Sequence, residues 1–77
     1  MKDAEADRIV DAVVRQLKAI REEKGVSVNR LAEIAGLTHV GILNIESGKR
    51  SPQLRTALKI ADALGISLSD LLENTGN

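Results

Sequence analysis

Few side chains in this 77-residue chain could carry out catalysis or hold a metal ion. The sequence has no Cys and a single His, His39, so neither a cysteine-based zinc site nor a Cys–His catalytic pair can form within it. It also lacks a Gly-rich phosphate loop and the HExxH spacing of zinc proteases. We therefore expect no catalytic residues, no metal and no cofactor, and a protein that is not an enzyme.

The polar and basic residues in the middle of the chain favour a different chemistry, the binding of nucleic acid. The side chain of Asn44 could form two hydrogen bonds with adenine in the major groove, and Val40 could contact a thymine methyl group. His39 could donate to a base or a phosphate, and Lys49 and Arg50 could contact phosphates. Each of these side chains could instead be solvated, because polar residues on exposed helix faces and loops often have no partner.

The distribution of charge along the chain favours nucleic acid as a partner more than the net charge does. The chain carries 11 basic and 11 acidic side chains. Residues 26–59 nevertheless hold five basic and two acidic side chains, whereas residues 60–77 hold three acidic and no basic ones. A basic segment is typical of a surface that binds phosphates, although chance can also produce it. The absence of Phe, Trp and Tyr argues against a single-strand binder, which stacks bases on aromatic rings.

Glycines and small hydroxyl residues divide the sequence into five predicted helices, and no segment alternates as a strand does. Ser27 and Thr38 are the expected N-caps of the second and third helices, and Gly36 ends the second. The predicted helices run from Ala4 to Lys24, from Val28 to Ala35, from His39 to about Ser47, from Ser51-Pro52 to Gly65, and through Leu68, Leu71 and Leu72.

The fourth helix is expected to have Ser51 at its cap and Pro52 at its first position, where no amide hydrogen is needed. Its predicted buried stripe consists of Leu54, Leu58, Ala61 and Leu64. Residues 74–77 are expected to be a frayed end. The length fits one domain over residues 1–77.

The two short helices within residues 28–47, with a glycine between them, have the proportions of a helix-turn-helix. Gly36 allows the positive φ that such a turn needs. In this motif the first helix contacts the DNA backbone and the second enters the major groove. We therefore expect helix 39–47 to contact the bases.

These segments resemble the lambda-repressor-like helix-turn-helix family of phage repressors and their bacterial relatives. The resemblance rests on Leu31 to Thr38, Ile42, Ile45 to Arg50 with Pro52, and Leu58 to Leu72. It covers roughly Leu17 to Glu73, so residues 1–15 form an N-terminal extension outside it. The resemblance implies an all-α fold, a compact five-helix bundle with an extended first helix.

The resemblance also implies roles for individual residues. It implies base contacts by His39, Val40 and Asn44. It implies contacts with the DNA backbone by Ser27, Arg30, Thr38, Lys49, Arg50 and Ser51. Arg21 and Glu46 match a pair that forms an internal salt bridge in relatives. Val28 departs from the family pattern. Many relatives have a Gln at this position, and that Gln braces the DNA backbone and the first residue that contacts a base.

The expected function is that of a transcription regulator, a repressor, which binds specific sequences of double-stranded DNA. The polar N-terminus does not resemble a signal peptide and no apolar run could span a membrane, so we expect no membrane and a cytoplasmic location. A protein-interaction module or an antitoxin-type regulator remains an alternative, since the net charge is zero and the contact face of the third helix is apolar in part.

Apolar residues beyond those that a small core needs predict a homodimer, which would place two base-contacting helices on paired half-sites. The expected dimer patch consists of Ile9, Val10, Val13, Ile66, Leu68 and Leu72. Alternatively, Ile9 and Val13 pack against the fifth helix of their own chain. Both arrangements could hold, with the two helices forming one joint patch.

Overall fold

Five α-helices joined by short connections account for the chain in a computed structural model, which describes residues 1–75. The helices are α1 (Asp3–Glu23), α2 (Val28–Ala35), α3 (His39–Glu46), α4 (Leu54–Ala63) and α5 (Leu68–Thr75). No strand forms within the described residues. The predicted all-α fold of five helices is confirmed.

The core consists of aliphatic side chains from all five helices. Its most deeply buried large side chains are Leu31 of α2 and Ile42 of α3, each 1% exposed. The other buried members of the cluster are Val13, Val14, Leu17, Ala32, Ile45, Ile60, Ala61, Leu64 and Leu71. Since α1 packs against α3 and α5, and α2 packs against α3 and α4, the core fixes the position of α3 from both sides.

The N-terminal part of α1 belongs to this core. The sequence resemblance begins only at Leu17, yet Val13 and Val14, one turn earlier, are 6% and 8% exposed. Val10 is half-buried and packs against the same cluster. The second half of the predicted extension is therefore part of the packed fold, and its loss would expose core side chains to water.

The start of α4 differs from its prediction. The helix begins at Leu54, with Gln53 at the N-cap and no side-chain hydrogen bond to the cap. Ser51 and Pro52 precede it in a non-helical segment. Proline fixes φ at a value that suits an extended segment as well as a first helical turn, and it also disfavours helical backbone at the residue before it. The Ser-Pro pair therefore did not determine where the helix starts.

The buried face of α4 also differs from its prediction. Leu54 and Leu58 are 68% and 49% exposed, whereas Ala57 and Ile60 are 7% and 4% exposed. The other two predicted members, Ala61 and Leu64, were placed correctly and are 1% and 3% exposed. Two overlapping helical stripes fit the apolar spacing, and the one that has Ala57 and Ile60 in place of Leu54 and Leu58 is the one that is buried. Alanine lets two helices approach closely, which a stripe of leucines does not.

The last turn of α5 includes Asn74 and Thr75, at the start of the predicted frayed end. Residues 76 and 77 of that predicted end lie outside the described residues. Within residues 1–75, no helix is both long and apolar enough to cross a membrane.

Candidate nucleic-acid interface

Hydrogen bonds and one glycine determine the geometry of the α2–turn–α3 unit. The Ser27 hydroxyl accepts a hydrogen bond from the Arg30 amide at 3.0 Å, and the Thr38 hydroxyl accepts one from the Gly41 amide at 3.0 Å. Both predicted N-caps are confirmed. Between the helices Gly36 has a φ of 70°, a left-handed conformation that a residue with a side chain adopts only with strain. The first turn of α3 is thus held at a defined angle to α2.

Gly41, in the first turn of α3, leaves room for the capping side chain of Thr38. A Cβ atom built at Gly41 would lie 2.8 Å from the Thr38 hydroxyl oxygen, closer than such atoms normally approach. Glycine in a helix is unfavourable by about 1 kcal/mol relative to alanine. The cap therefore gives a structural reason for a residue whose helix propensity alone is poor.

We predict that Gly41→Ala will not stabilise the protein, because the gain in helix propensity is offset by displacement of the Thr38 cap, worth about 1 kcal/mol. In a Thr38→Ala background, where the cap is already absent, the same change should stabilise it by about 1 kcal/mol. Urea denaturation of the four variants of this cycle measures the coupling. Equal gains in both backgrounds would show that Thr38 and Gly41 do not interact.

The outward face of α3 carries the three residues expected to contact bases. His39 is exposed, Val40 is 63% exposed, and Asn44 lies one turn after Val40 on the same side of the helix. Leu43, 44% exposed, lies beside them. Among the described residues, the side chain of Asn44 forms no hydrogen bond, so both its donor and its acceptor are available to a ligand.

Asn29 contacts this face, although sequence reasoning did not single it out. Nδ1 of His39 contacts the side-chain oxygen of Asn29 at hydrogen-bond distance, and since an amide oxygen only accepts, the ring N–H is the donor of this bond. The two residues are ten positions apart and stand in the first turns of α3 and α2. A polar residue beside the apolar Val28 was the available signal in the sequence, but only the crossing of the two helices shows which side chains meet.

The segment after α3 folds back on the end of that helix. The backbone carbonyl of Asn44 accepts hydrogen bonds from the Ser47 hydroxyl at 3.2 Å and from the Arg50 amide at 3.1 Å. Gly48 has a φ of 82°, which allows this reversal of the chain. As a result, the exposed side chains of Lys49 and Arg50 lie close to the C-terminal end of α3.

Three of the residues expected to contact the DNA backbone lie around one shallow concavity of about 580 Å³, beside α3. Thr38 comes from the start of α3, whereas Arg50 and Ser51 come from the segment after it. Gln53 and Thr56 line the same concavity and were not expected from the sequence. The arrangement places hydroxyl groups, a guanidinium and an amide side chain around the part of α3 that carries Gly41 and Ile45.

A family model described as helix-turn-helix matches residues 17–71 of the chain. The chain belongs to this helix-turn-helix family, of the Cro and phage-repressor type.

Relatives named as transcriptional regulators share this domain. The HTH-type transcriptional regulator PuuR of Escherichia coli strain K12 is 43% identical over 56 residues, 73% of this chain and 30% of PuuR. The HTH-type transcriptional repressor RghR of Bacillus subtilis strain 168 is 44% identical over 62 residues, 79% of this chain and 46% of RghR. This chain therefore spans only about a third to a half of the length of these relatives.

A bidentate ion pair joins α1 to α3, the second helix of the helix-turn-helix. Arg21 donates from Nε to Glu46 Oε2 at 2.8 Å and from Nη2 to Glu46 Oε1 at 2.9 Å. Its Nη1 donates to the Val26 carbonyl at 2.9 Å. The two side chains are only 11% and 12% exposed. The hydrogen bond to Glu46 raises the pKa of Arg21 above its ordinary value, although burial acts in the opposite direction.

Arg30 and Ser27 lie at the start of α2 and do not line the concavity beside α3. Arg30 pairs with Glu33 at 3.2 Å, and the two side chains are 64% and 69% exposed. An ion pair this exposed is worth little, so Arg30 could exchange Glu33 for a phosphate at small cost. Within residues 1–75, no group of three or more His, Cys, Asp or Glu side chains is placed to hold a metal ion.

Five of the six residues expected at a dimer interface line one apolar groove of about 220 Å³ between α1, α4 and α5. They are Ile9, Val10, Val13, Leu68 and Leu72. The sixth, Ile66, does not line the groove and packs instead against the core. Leu54, which had been expected in the core, lines the groove and is 68% exposed. α1 and α5 of one chain thus pack together and present a joint apolar surface.

Proposed function

We propose that this domain is a transcription regulator that binds specific sequences of double-stranded DNA, with α3 in the major groove. The observation that carries the proposal is the outward face of α3, where the side chain of Asn44 has no partner within the described residues although its backbone carbonyl accepts two hydrogen bonds. His39, Val40 and Asn44 are the proposed base contacts. An Asn amide pairs with adenine through two hydrogen bonds, and a Val methyl group suits thymine.

The proposed contacts with phosphates are made by two groups of residues, one at the start of α3 and in the segment after it, the other at the start of α2. The first group is Thr38, Lys49, Arg50 and Ser51, and the second is Ser27 and Arg30. The hydroxyl oxygens of Ser27 and Thr38 accept the capping hydrogen bonds, but their hydroxyl hydrogens can still donate to a phosphate. Contacts of this kind orient the protein on the duplex without selecting a sequence.

Repression is the proposed direction of control. The support is RghR, a relative at 44% identity that is named a repressor. Under this proposal the protein works in the cytoplasm and catalyses no reaction. Loss of the gene should raise transcription from promoters that carry the bound sequence, and a fall in transcription would instead make the protein an activator.

Arg50→Ala should weaken binding to all duplexes alike, because a phosphate contact is independent of sequence. The slope of log K against log salt concentration should become shallower by about 1, since about one counterion fewer is released. Fluorescence anisotropy titrations at several salt concentrations measure both effects. Arg8→Ala removes the same charge from an exposed site that lines neither the concavity beside α3 nor the apolar groove. This control should leave the slope unchanged. An unchanged slope in Arg50→Ala would remove this residue from the backbone contacts.

The proposed assembly is a homodimer formed through the apolar groove. One recognition helix contacts few base pairs, whereas a two-fold pair of helices about 34 Å apart contacts two half-sites. Leu54, 68% exposed, lines the groove together with Ile9, Val10, Leu68 and Leu72. A surface that holds both an exposed apolar side chain and an apolar groove can complement itself across a two-fold axis.

Leu54→Glu should abolish this dimer, because the charge would be buried against apolar side chains without a partner. Sedimentation velocity over a concentration series, with and without DNA, measures the assembly. The matched control is Leu58→Glu, which places the same charge one turn later on α4, at a site 49% exposed and outside the groove. The dimer proposal fails if wild type remains monomeric in both conditions, or if the two variants dissociate equally.

The second candidate is a protein-interaction module or an antitoxin-type regulator, which the same apolar groove favours. In that case the wild-type domain would be monomeric by itself, and Leu54→Glu would abolish its binding to a different protein. Association that is indifferent to salt would distinguish this candidate from DNA binding, which is sensitive to salt.

A further inference from the structure

Asn29 joins the N-terminal ends of the two helices of the helix-turn-helix. It is an exposed residue in the first turn of α2, and its side-chain oxygen accepts the hydrogen bond from Nδ1 of His39. His39 is the first residue of α3 and one of the proposed base contacts. Val28, the preceding residue, has no polar group that could hold this ring.

The contact determines which nitrogen of a neutral His39 ring carries the hydrogen. A neutral imidazole has one N–H group, and the hydrogen bond made by one nitrogen decides the role of the other. An amide oxygen can only accept a hydrogen bond. With the Asn29 oxygen toward the ring, the hydrogen of a neutral His39 resides on Nδ1, and Nε2 presents a lone pair.

We propose that Asn29 is a positioning residue for sequence specificity, which makes His39 an acceptor toward the base edge that it faces. The inference rests on the proposed function. In the major groove, adenine N6 and cytosine N4 are donors, whereas guanine and the polar edge of thymine present acceptors. With Nε2 as an acceptor, His39 selects adenine or cytosine at one position. Without Asn29 the ring can place its hydrogen on Nε2 and donate to guanine.

The first test needs no DNA. The chain contains a single His, so a long-range ¹H–¹⁵N NMR spectrum at alkaline pH, with the ring neutral, reports on His39 without ambiguity. Wild type should show the hydrogen on Nδ1, and Asn29→Ala should shift the ring toward the other tautomer. Asn29→Asp retains an acceptor and should keep the hydrogen on Nδ1. Alanine is the better helix former, so α2 should persist in Asn29→Ala. A hydrogen on Nε2 in wild type would overturn the proposal.

The second test compares wild type and Asn29→Ala on duplexes selected from a random library. Wild type should prefer adenine or cytosine at one position of each half-site. Asn29→Ala should lose about threefold to tenfold of that preference and accept guanine there, while preferences at other positions remain. Identical preferences in the two proteins would overturn the specificity role. If wild type binds no duplex, the proposed function fails and the specificity role fails with it, although the NMR spectrum still judges the tautomer.

Discussion

Replacing Glu46 by alanine is expected to lower the free energy of unfolding by about 3 kcal/mol, because it leaves the largely buried guanidinium of Arg21 without its charged partner. Nε and Nη2 of Arg21 lose their hydrogen bonds, and only the bond from Nη1 to the Val26 carbonyl remains. In a domain of this size such a loss lowers the Tm by more than about 10 °C. Urea and thermal denaturation measure the two quantities.

The control for this prediction is Glu33→Ala, which breaks the ion pair with Arg30 at the surface. Since those side chains are 64% and 69% exposed, the loss should stay within about 0.5 kcal/mol. Glu46→Gln keeps one acceptor for Arg21 and should fall between the two. Similar losses for Glu33→Ala and Glu46→Ala would mean that the pair under the recognition helix contributes no more than a surface pair.

Asn44→Ala is expected to weaken binding to the selected duplex by about 1–3 kcal/mol and to relax the preference at a single base pair. The fold should be unaffected, because only the backbone carbonyl of Asn44 takes part in the hydrogen bonds at the end of α3. Anisotropy titrations against the selected duplex and its single-base-pair variants measure the affinity at each position.

The matched control is Asn74→Ala, which makes the same change at an exposed site on α5 and should leave DNA affinity unchanged. If Asn44→Ala instead weakens binding to every duplex by the same factor, its side chain contacts the backbone rather than a base. If affinity does not change at all, α3 does not contact DNA through this face.

Local rules predicted the limits of the helices around the site. The N-cap hydroxyls of Ser27 and Thr38 satisfy backbone amides within the same short segment, and Gly36 relieves strain at its own position. Such interactions span three or four residues, so sequence spacing is enough to place them. The pair of Arg21 and Glu46 spans 25 residues, and only the resemblance to a known family pointed to it.

Packing between helices could not be predicted in the same way. The spacing of apolar residues in α4 fits two faces, and the choice between Leu54 and Ala57 depends on how closely α4 approaches its neighbours. The contact between Asn29 and His39 depends on the angle between α2 and α3. The role of Gly41 depends on the rotamer of the Thr38 cap. Each of these contacts is set by tertiary geometry, which a single sequence does not display.

The most direct test of the central claim, that α3 binds specific sequences in the major groove, is selection from a random library of duplexes with the wild-type chain. The account predicts one enriched motif, present as two symmetric half-sites whose centres are about one helical turn apart, with affinity that falls steeply as salt rises. If the folded protein enriches no sequence from the library, this result contradicts the central claim.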